Sequence, residues 1–384
     1  MRIGIFSQCY LPTLNGVVVS IETFRKELEK RGHEFFIFTT GNRNSEDKNP
    51  TRVFRYPSIP STQKDYPIAL PYLAPLQTAR IRTLGLEIIH SQHIFAMGKL
   101  GLKVGRSLNI PVIHTYHTLI TEYTHYIPLP SRLVEKVLIS LSRNYCNLCD
   151  QVVTPSSSMK KILLSYGVKT PIEVIPTGVD PNDFTKPYHS TVLRAKWHIP
   201  EGKKILLYVS RIAREKNLDF LFEAVRELRR KRNDFHLLMV GGGPEVAYYQ
   251  KQVKRWGLEN LVTFAGRQPK EDTNRFYGAA DIFVFPSITE TQGIVLTEAQ
   301  AAGLPVVAVG LMGPKDFIRD DKDGFLTPLQ VGEFSGKIEK LLDNEYLRKR
   351  FGRQAQKNAV QFSAENTARK MEKLYERTLS NYSQ

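Results

Sequence analysis

Short apolar runs alternate with segments of helical spacing along the first half of the chain. The spacing of Val17, Ile21 and Leu28 predicts a helix directly after the first apolar run. This helix is predicted over residues 17–31, and strands are predicted over residues 2–7, 34–40, 87–90, 111–115 and 151–154. Strands that alternate with helices are typical of βαβ units and a parallel sheet.

The same alternation starts again in the second half. A helix is predicted over residues 218–230, and strands are predicted over residues 204–210, 236–240, 261–265, 282–285 and 305–309. Two such series predict an α/β protein with two doubly wound, Rossmann-like domains that face each other across a cleft.

A polar stretch without periodicity, residues 177–181, separates the two series and predicts the domain boundary. The N-terminal domain is predicted to cover residues 1–178, and the C-terminal domain residues 179–364. A last helical segment, about residues 365–384, fits either half by its own pattern. We expect it to return to the N-terminal domain.

Length and composition narrow the class of protein. A chain of 384 residues favours two domains, and 41% hydrophobic with 24% charged residues excludes a mostly disordered chain. We see neither a long apolar stretch nor a signal peptide, which argues against a transmembrane helix or secretion. With only three cysteines, a reducing cytosol is the expected compartment.

The net charge is unusual. Lysine and arginine number 54 against 38 acidic residues, which gives +16. The excess is +9 over residues 1–178 and +7 over the remainder, so neither half is a basic tail. A soluble surface with surplus lysine is one explanation. The other is a polyanionic partner: nucleic acid, an anionic membrane or a phosphorylated substrate.

Motif searches exclude several enzyme classes. No G-x-G-x-x-G follows the first strand, and neither a P-loop nor a G-x-S-x-G elbow occurs. These absences argue against dinucleotide enzymes, P-loop NTPases and α/β-hydrolases.

Three short motifs resemble metal sites, and each has an ordinary structural interpretation. Cys146 and Cys149 form a single C-x-x-C pair, which is typical of two half-buried helix cysteines. His114 and His117 lack the glutamate of H-E-x-x-H. The D-x-D that ends at Asp323 is better explained as a turn before a strand. We therefore predict no metal site.

Two loops carry signatures of anion binding. Gly16 opens the first helix, where a missing side chain lets backbone N–H groups approach a phosphate, although such a glycine also serves packing. Arg211 and Lys216 follow a strand of the second half, and Asn217 is a candidate N-cap of the next helix. A guanidinium and an ammonium at a strand's carboxyl end would suit a diphosphate, or would simply be solvated.

The segment from residue 286 to 305 carries the strongest local signal. A strand enters a loop with Glu290, and a helix begins near Gly293, whose first N–H groups form a second anion cradle. Glu290 and Glu298 are about 12 Å apart along a helical path, too far for a glycosidase carboxylate pair unless the loop folds back. The two glutamates are therefore predicted to contact separate parts of a ligand.

Taken together, these motifs resemble the retaining nucleotide-sugar glycosyltransferases of family 4, which have the two-Rossmann-domain GT-B fold. The resemblance covers essentially the whole chain. It depends on Gly16, residues 116–118, the linker at 175–180, Arg211 with Glu215 and Lys216, residues 241–244, and Glu290 with Glu298.

The resemblance implies a role for each donor-site residue. Arg211 and Lys216 would hold the diphosphate of the donor, Glu298 the ribose hydroxyls, and Glu290 the transferred sugar. Backbone N–H groups would assist from Gly293, Ile294 and Val295. The implied donor is a UDP-sugar, with glucose as the sugar.

The resemblance also implies roles in the N-terminal domain. Gly16 would approach the phosphate across the cleft, and His117 would face the sugar; without the resemblance, His117 is better explained as a packed histidine at a strand end. Asn217 stands where the family commonly has glycine, and asparagine tolerates the left-handed region. The implied mechanism is front-face transfer with retention and no metal or other cofactor, in which His117, Glu290, Arg211 and Lys216 are catalytic.

Two features bear on the acceptor. The Glu290-Thr-Gln-Gly293 variant and the tyrosine-rich stretch after His117 resemble the subgroup of this family that glucosylates diacylglycerol. The acceptor-side or membrane-contacting residues predicted on this basis are Tyr116, Glu122, Tyr123, Tyr126, Arg132, Lys136 and Arg143.

Residues 131–146 form an amphipathic segment. Its apolar stripe is Leu133, Val134, Val137, Leu138, Leu141 and Tyr145, flanked by the three basic residues just named. This pattern fits a membrane-surface helix and equally a core-facing helix. Residues 67–76 add an apolar, proline-broken patch that would enter lipid or shape an acceptor channel.

Three functions stay open. The first is a cytoplasmic glycosyltransferase, peripheral on the inner face of the cell membrane, that uses a UDP-sugar, a lipid acceptor and an anionic membrane surface. The second is the same chemistry on a soluble sugar or sugar phosphate. The third, a nucleic-acid-binding protein, is disfavoured because the charge is spread over both halves without a recognition motif, so we expect no nucleic-acid partner.

Overall fold

The computed structural model describes residues 1–41, 52–61, 67–121, 130–184 and 190–382. The chain divides into two compact units. Unit 1 consists of Met1–Gly178 and Ala364–Gln384, and unit 2 of Val179–Ser363.

Unit 1 contains a seven-stranded sheet in which every neighbouring pair is parallel. Its strands are β1 (Arg2–Phe6), β2 (Glu34–Thr40), β3 (Val53–Tyr56), β6 (Ile88–Ser91), β7 (Val112–Thr115), β8 (Gln151–Thr154) and β9 (Ile172–Val174), and a short antiparallel pair is formed by β4 (Ser58–Ile59) and β5 (Ile68–Ala69). The strand order is β3-β2-β1-β6-β7-β8-β9. The order reverses at β1, because Ile3 pairs with Phe35 of β2 on one side and Ile88 of β6 on the other.

The helices of unit 1 cover its sheet. They are α1 (Gly16–Glu29), α2 (Pro75–Arg80), α3 (Ala96–Leu108), α4 (Ser131–Cys146), α5 (Ser157–Ser165) and the C-terminal α14 (Ala364–Tyr382). Helix α14 packs beside α1, and its Met371 and Tyr375 join the same buried cluster as Ile3 and Ile37 of the sheet.

Unit 2 contains a six-stranded parallel sheet of order β12-β11-β10-β13-β14-β15. Its strands are β10 (Lys204–Val209), β11 (Phe235–Val240), β12 (Val262–Gly266), β13 (Ile282–Phe285), β14 (Val306–Val309) and β15 (Gly324–Thr327). Its helices are α6 (Ser190–Lys196), α7 (Leu218–Arg229), α8 (Val246–Arg255), α9 (Lys270–Ala279), α10 (Ile294–Ala301), α11 (Pro314–Phe317), α12 (Val331–Asp343) and α13 (Glu345–Ala359).

The sheet of unit 2 is buried on both faces. Leu206 and Tyr208 of β10 enter one buried cluster, whereas Ile205 and Leu207 enter the other, and all four are 0% exposed. A strand covered on both faces has a continuous apolar sequence, which is why β10 is recognisable as a strand without alternation.

The two predicted Rossmann-like folds are confirmed. Of the ten strands given bounds from sequence, β2, β8 and β13 have the predicted bounds, and the other seven differ by one residue at one or both ends. The amphipathic segment at residues 131–146 is helix α4. None of the helices in the described ranges has the length and apolarity needed to cross a bilayer.

One buried hydrogen-bond chain ties α14 to the sheet of unit 1. The Tyr375 hydroxyl lies 2.6 Å from Nδ1 of His90 in β6, and the Nε2 atom of His90 lies 2.6 Å from the Thr115 hydroxyl in β7. Burial lowers the pKa of His90 to about 3, so the ring is neutral and both nitrogens need partners.

We therefore expect Tyr375→Phe to destabilise unit 1. The substitution leaves Nδ1 of His90 buried and unpaired, which costs about 1–3 kcal/mol. Amide hydrogen exchange of β6 and α14 measures the loss. Tyr382→Phe, near the end of the same helix at an exposed position, is the matched control. Equal protection in the two variants would contradict the prediction.

Candidate active site

The loops that follow β10 and β13 meet at the carboxyl edge of the sheet in unit 2. The two strands are neighbours at the point where the strand order reverses, and open α/β sheets bind ligands at such points. The Asn217 side chain donates from Nδ2 to the Pro286 carbonyl at 3.0 Å, and the Thr289 hydroxyl donates to the Glu215 carbonyl at 3.3 Å. These bonds fix the two loops to each other.

The predicted diphosphate-binding cations lie in these loops, and each is paired with a carboxylate. Lys216 forms an ion pair with Glu290 of the second loop, and Arg211 forms one with Glu215 of its own loop. The side chains of Lys216 and Glu290 are only 14% and 16% exposed, whereas that of Arg211 is 44% exposed. Two cations thus lie at this edge, and their charge is balanced by the protein itself.

Asn217 has the predicted left-handed backbone, at φ 55° and ψ 43°. It occupies the N-cap position of α7, but its side chain does not cap the helix. The prediction of a capping role is therefore wrong, because the amide is used to hold the Pro286 carbonyl.

The glycine run after β11 packs directly on the loop of Arg211. A Cβ atom at Gly241 would lie 1.9 Å from the Ser210 carbonyl oxygen, and one at Gly243 would lie 2.1 Å from that of Ile212. Only glycine permits this approach, so the run supports the shape of the cation loop.

Helix α10 begins beside Glu290. Gly293 precedes it at φ 72°, a left-handed conformation that favours glycine, and this residue has no side chain to cap the helix. Ile294 and Val295 form the first turn, whose N–H groups have no acceptor within a helix. The helix therefore begins where it was predicted to begin, and its first N–H groups are compatible with the predicted binding of an anion.

Glu298 lies one turn further along α10 and is partly exposed. The Tyr277 hydroxyl of α9 donates to its Oε2 atom at 2.7 Å. Burial raises the pKa of Glu298, while this hydrogen bond and the positive charge of Lys270 oppose the shift. No sequence motif marks Tyr277. Its hydrogen bond to Glu298 depends on how α9 and α10 pack, which the sequence does not show.

In unit 1, Gly16 is the first residue of α1, and Asn15 caps the helix by accepting from the Val18 N–H at 3.0 Å. Gly16 is exposed, and a Cβ atom there would meet nothing within 4 Å. Packing therefore does not require glycine at this position.

His117 follows β7 and donates from Nε2 to the Gln92 side-chain oxygen at 2.6 Å. Gln92 follows β6, the neighbouring strand, so the pair lies at the carboxyl edge of the sheet. Burial, together with His93, His114 and His90, lowers the pKa of His117 well below its usual value. Gln92 was missed at the level of sequence, although its place after a predicted strand would have suggested it.

Tyr116 was predicted to be an acceptor-side or membrane-contacting residue, and its burial contradicts this prediction. This residue is 2% exposed, its ring lies edge-on to that of His114, and its hydroxyl is 2.8 Å from the Ser142 hydroxyl. The other aromatic candidates, Tyr123 and Tyr126, lie outside the described residues, as does Glu122.

The apolar residues of α4 do not form the single stripe that was predicted. Val134 and Tyr145 are buried, whereas Leu133, Val137 and Leu141 are 58%, 50% and 40% exposed. The exposed three follow one another at every fourth position and so share one face. The flanking basic residues, Arg132, Lys136 and Arg143, are also exposed.

A second exposed apolar surface lies at residues 71–76. Tyr72, Leu73 and Leu76 are 83%, 68% and 86% exposed, and Lys103 of α3 lies 6.0 Å from the Tyr72 ring centroid. Helix α3 also lies against α4, because a Cβ atom at Gly98 would fall 2.6 Å from the Tyr145 hydroxyl.

The residues of the three metal-like motifs have other partners or surroundings. His114 lies 2.9 Å from the Ser91 hydroxyl, and the Asp323 carboxylate accepts from the Arg319 side chain at 2.6 Å. Cys146, the last residue of α4, and Cys149, which follows the helix, are buried more fully than expected, and burial raises the pKa of Cys146 to about 12. Across the described ranges, no three His, Cys, Asp or Glu side chains are grouped as metal ligands.

Comparison with known proteins identifies the family. The family model described as "Glycosyltransferase Family 4" matches residues 14–183, and that described as "Glycosyl transferases group 1" matches residues 190–358. The chain is 36% identical to alpha-monoglucosyldiacylglycerol synthase of Streptococcus pneumoniae, over 85% of this chain and 75% of that protein. The synthase of the same name from Acholeplasma laidlawii is 29% identical, over 84% of each chain.

The fold agrees with these matches. An Anabaena protein, HepE, whose structure was determined in complex with UDP-glucose, has a TM-score of 0.80 and 19% identity, with 98% of this chain and 100% of that chain covered. The two parallel-sheet units agree with the GT-B fold of this neighbour, and the family models match both halves of the chain. The chain is therefore a glycosyltransferase and belongs to glycosyltransferase family 4.

Proposed function

We propose that this enzyme transfers glucose from UDP-glucose to a diacylglycerol-type lipid at the cytoplasmic face of the membrane, with retention of configuration. The observation that carries the lipid acceptor is the exposed face of α4, where Leu133, Val137 and Leu141 lie between basic side chains. The similarity to two alpha-monoglucosyldiacylglycerol synthases supports the same acceptor.

In the proposed reaction, the bond from the anomeric carbon to the diphosphate breaks as the bond to the acceptor oxygen forms on the same face. The electron pair goes to the leaving diphosphate, which also receives the hydroxyl proton of the acceptor. Charge therefore grows on the diphosphate, and fixed cations stabilise it in the transition state. Arg211 and Lys216 supply these cations in our proposal.

The other assignments follow from the same reaction. Glu298 accepts the ribose hydroxyls, Glu290 binds the sugar, and the first N–H groups of α10 assist. His117 contacts the sugar as a neutral imidazole, since burial lowers its pKa. Gly16 approaches a phosphate oxygen with its backbone N–H, at the start of α1, where the place of a Cβ atom is open space.

The direct test is incubation with a panel of radiolabelled nucleotide sugars and total membrane lipid, followed by chromatography of the organic phase. We expect label in one glycolipid and only with UDP-glucose. Label that stays in water-soluble sugars would favour the alternative, a soluble sugar or sugar-phosphate acceptor. Label from another nucleotide sugar would change the donor assignment.

Removing either cation should slow transfer strongly. Arg211→Ala and Lys216→Ala should each cost about 2–4 kcal/mol in kcat/KM, as loss of one oxyanion donor does, and Glu298→Ala should chiefly weaken UDP binding. Lys231→Ala is the control, because Lys231 is also ion-paired in unit 2, with Glu339 at 2.9 Å, but lies away from the two loops. Wild-type kcat/KM in all three site variants would show that the site is misplaced.

Metal removal should leave the enzyme active. In our proposal, Arg211 and Lys216 contact the diphosphate directly, so a divalent ion is not needed to hold it. Initial rates with and without a chelator measure this. Complete loss that added metal restores would overturn the metal-free mechanism.

Neutralising the basic residues of α4 should weaken membrane binding. Each cation near an anionic bilayer contributes about 1 kcal/mol, so Arg132→Gln, Lys136→Gln and Arg143→Gln together should cost about 3 kcal/mol. Vesicle co-sedimentation and lipid glucosylation should both fall, the salt dependence of binding should decrease, and UDP-glucose binding should persist.

The matched control removes three exposed cations from a helix of unit 2. Lys349, Arg353 and Lys357 occupy every fourth position of α13 and are exposed. Their glutamine variant should bind vesicles almost as the wild type does. If the two triple variants bind vesicles equally well, α4 is not the membrane contact.

A further inference from the structure

The ring of Tyr277 is buried between two aromatic side chains of unit 2, and its hydroxyl contacts Glu298. The Tyr277 side chain is 0% exposed. Its ring lies edge-on to Phe184 at 5.7 Å between ring centroids and packs on Phe283 of β13, also at 5.7 Å. Aromatic side chains on two sides leave the ring a single position, so the direction of its hydroxyl is set by the core of unit 2.

The hydroxyl of this fixed ring binds one oxygen of the Glu298 carboxylate. Oε2 accepts the Tyr277 hydroxyl at 2.7 Å, whereas Oε1 accepts no hydrogen bond from the described part of the chain. A carboxylate has about four acceptor positions on its two oxygens. The tyrosine occupies one of them and fixes the plane of the group, so that the others keep one orientation.

The surroundings of Glu298 are sparsely charged. Lys270 of α9 lowers its pKa by charge attraction, and Asp183, from the turn of 3-10 helix Pro181–Phe184, raises it. Burial opposes ionisation, and the Tyr277 hydroxyl favours it. The phenol is therefore the only hydrogen-bond donor in the described ranges that stabilises the charged carboxylate.

We propose that Tyr277 is the positioning residue of the nucleotide site: it orients the Glu298 carboxylate toward the vicinal hydroxyls of a ribose and thereby makes the enzyme select ribonucleotides over 2′-deoxyribonucleotides. This inference depends on the proposed role of Glu298 in donor binding. Tyr277 itself does not contact the nucleotide. Its effect passes through one hydrogen bond, and it concerns the two ribose hydroxyls and no other part of the donor.

The test compares the affinities of UDP and 2′-deoxy-UDP by calorimetry, with the full chain and no acceptor. The wild type should bind UDP more tightly. Tyr277→Phe should weaken UDP binding by about tenfold, the usual effect of losing a hydrogen bond to a charged group, and should affect 2′-deoxy-UDP less. The ratio of the two affinities therefore falls toward one.

Three further variants separate this role from a structural one. Glu298→Gln should lower the same ratio, and adding Tyr277→Phe to it should lower the ratio little further, because both changes remove one interaction. Tyr375→Phe, which removes a buried hydroxyl from unit 1, should leave the ratio at its wild-type value. If Tyr277→Phe does not fold, the ratio of UDP to 2′-deoxy-UDP affinity in Glu298→Gln shows whether this carboxylate binds the ribose hydroxyls. An unchanged ratio there would overturn the proposal.

The pH dependence of UDP binding gives a second readout. UDP binding should weaken as pH falls through the pKa of Glu298, since the protonated group loses its acceptor character. Tyr277→Phe removes a bond that lowers this pKa, so the loss should begin at a higher pH. Substituting Lys270, the other group that lowers it, by Gln should shift the profile in the same direction without a hydrogen-bond change at Oε2.

The outcomes are distinct. A Tyr277→Phe variant that weakens both nucleotides equally, or that keeps the wild-type ratio and pH profile, overturns the proposal while the donor assignment stands. A wild type that does not distinguish UDP from 2′-deoxy-UDP overturns both. If the chain prefers GDP, the UDP assignment fails, and the ratio of GDP to 2′-deoxy-GDP tests Tyr277 in the same way.

Discussion

The pairing of β10 with β13 determines where the charged residues of unit 2 meet. The two strands are far apart in sequence, and their parallel register, Leu206 with Ile282, places the loops that follow them at one edge. Lys216 therefore reaches Glu290, and Asn217 reaches the Pro286 carbonyl. Without this strand pair, the residues of the two loops would belong to unrelated parts of the surface.

The charges at this edge are balanced by the protein itself. Lys216 and Arg211 each have a carboxylate partner, and the low exposure of Lys216 and Glu290 strengthens their attraction relative to that of a surface pair. In our proposal, a diphosphate that binds here takes the place of these carboxylates as the partner of the two cations. In our account, Glu290 then becomes available to the sugar when Lys216 turns to the phosphate.

Much of this arrangement was predictable from sequence, because buried parallel strands have continuous apolar runs and ligands bind at their carboxyl ends. Arg211, Lys216 and Glu290 lie in the stretches predicted to follow two strands, and Glu298 lies in the helix predicted near Gly293. The partners of these residues were not predictable in the same way. Tyr277 is one apolar position among several on α9, and only the packing of its ring against Phe283 aims the hydroxyl at Glu298.

The amphipathic helix α4 shows the same limit. Periodicity places apolar residues on one side of a helix but does not say which of them find neighbours. Tyr145 lies against His114 and is buried, whereas Leu133 is left exposed. Tyr116 follows β7 and is buried, and its hydroxyl forms a hydrogen bond with the Ser142 hydroxyl of α4. The tyrosine-rich sequence therefore did not indicate surface exposure at this position.

We propose for this enzyme the retaining transfer of a sugar from a UDP donor to a membrane lipid. Its most direct test is the anomeric configuration of the product, measured by proton NMR after incubation of UDP-α-glucose with diacylglycerol in anionic vesicles. We expect a lipid-soluble α-glucoside. A β-glucoside would contradict retention, and an organic phase without sugar would contradict the lipid acceptor.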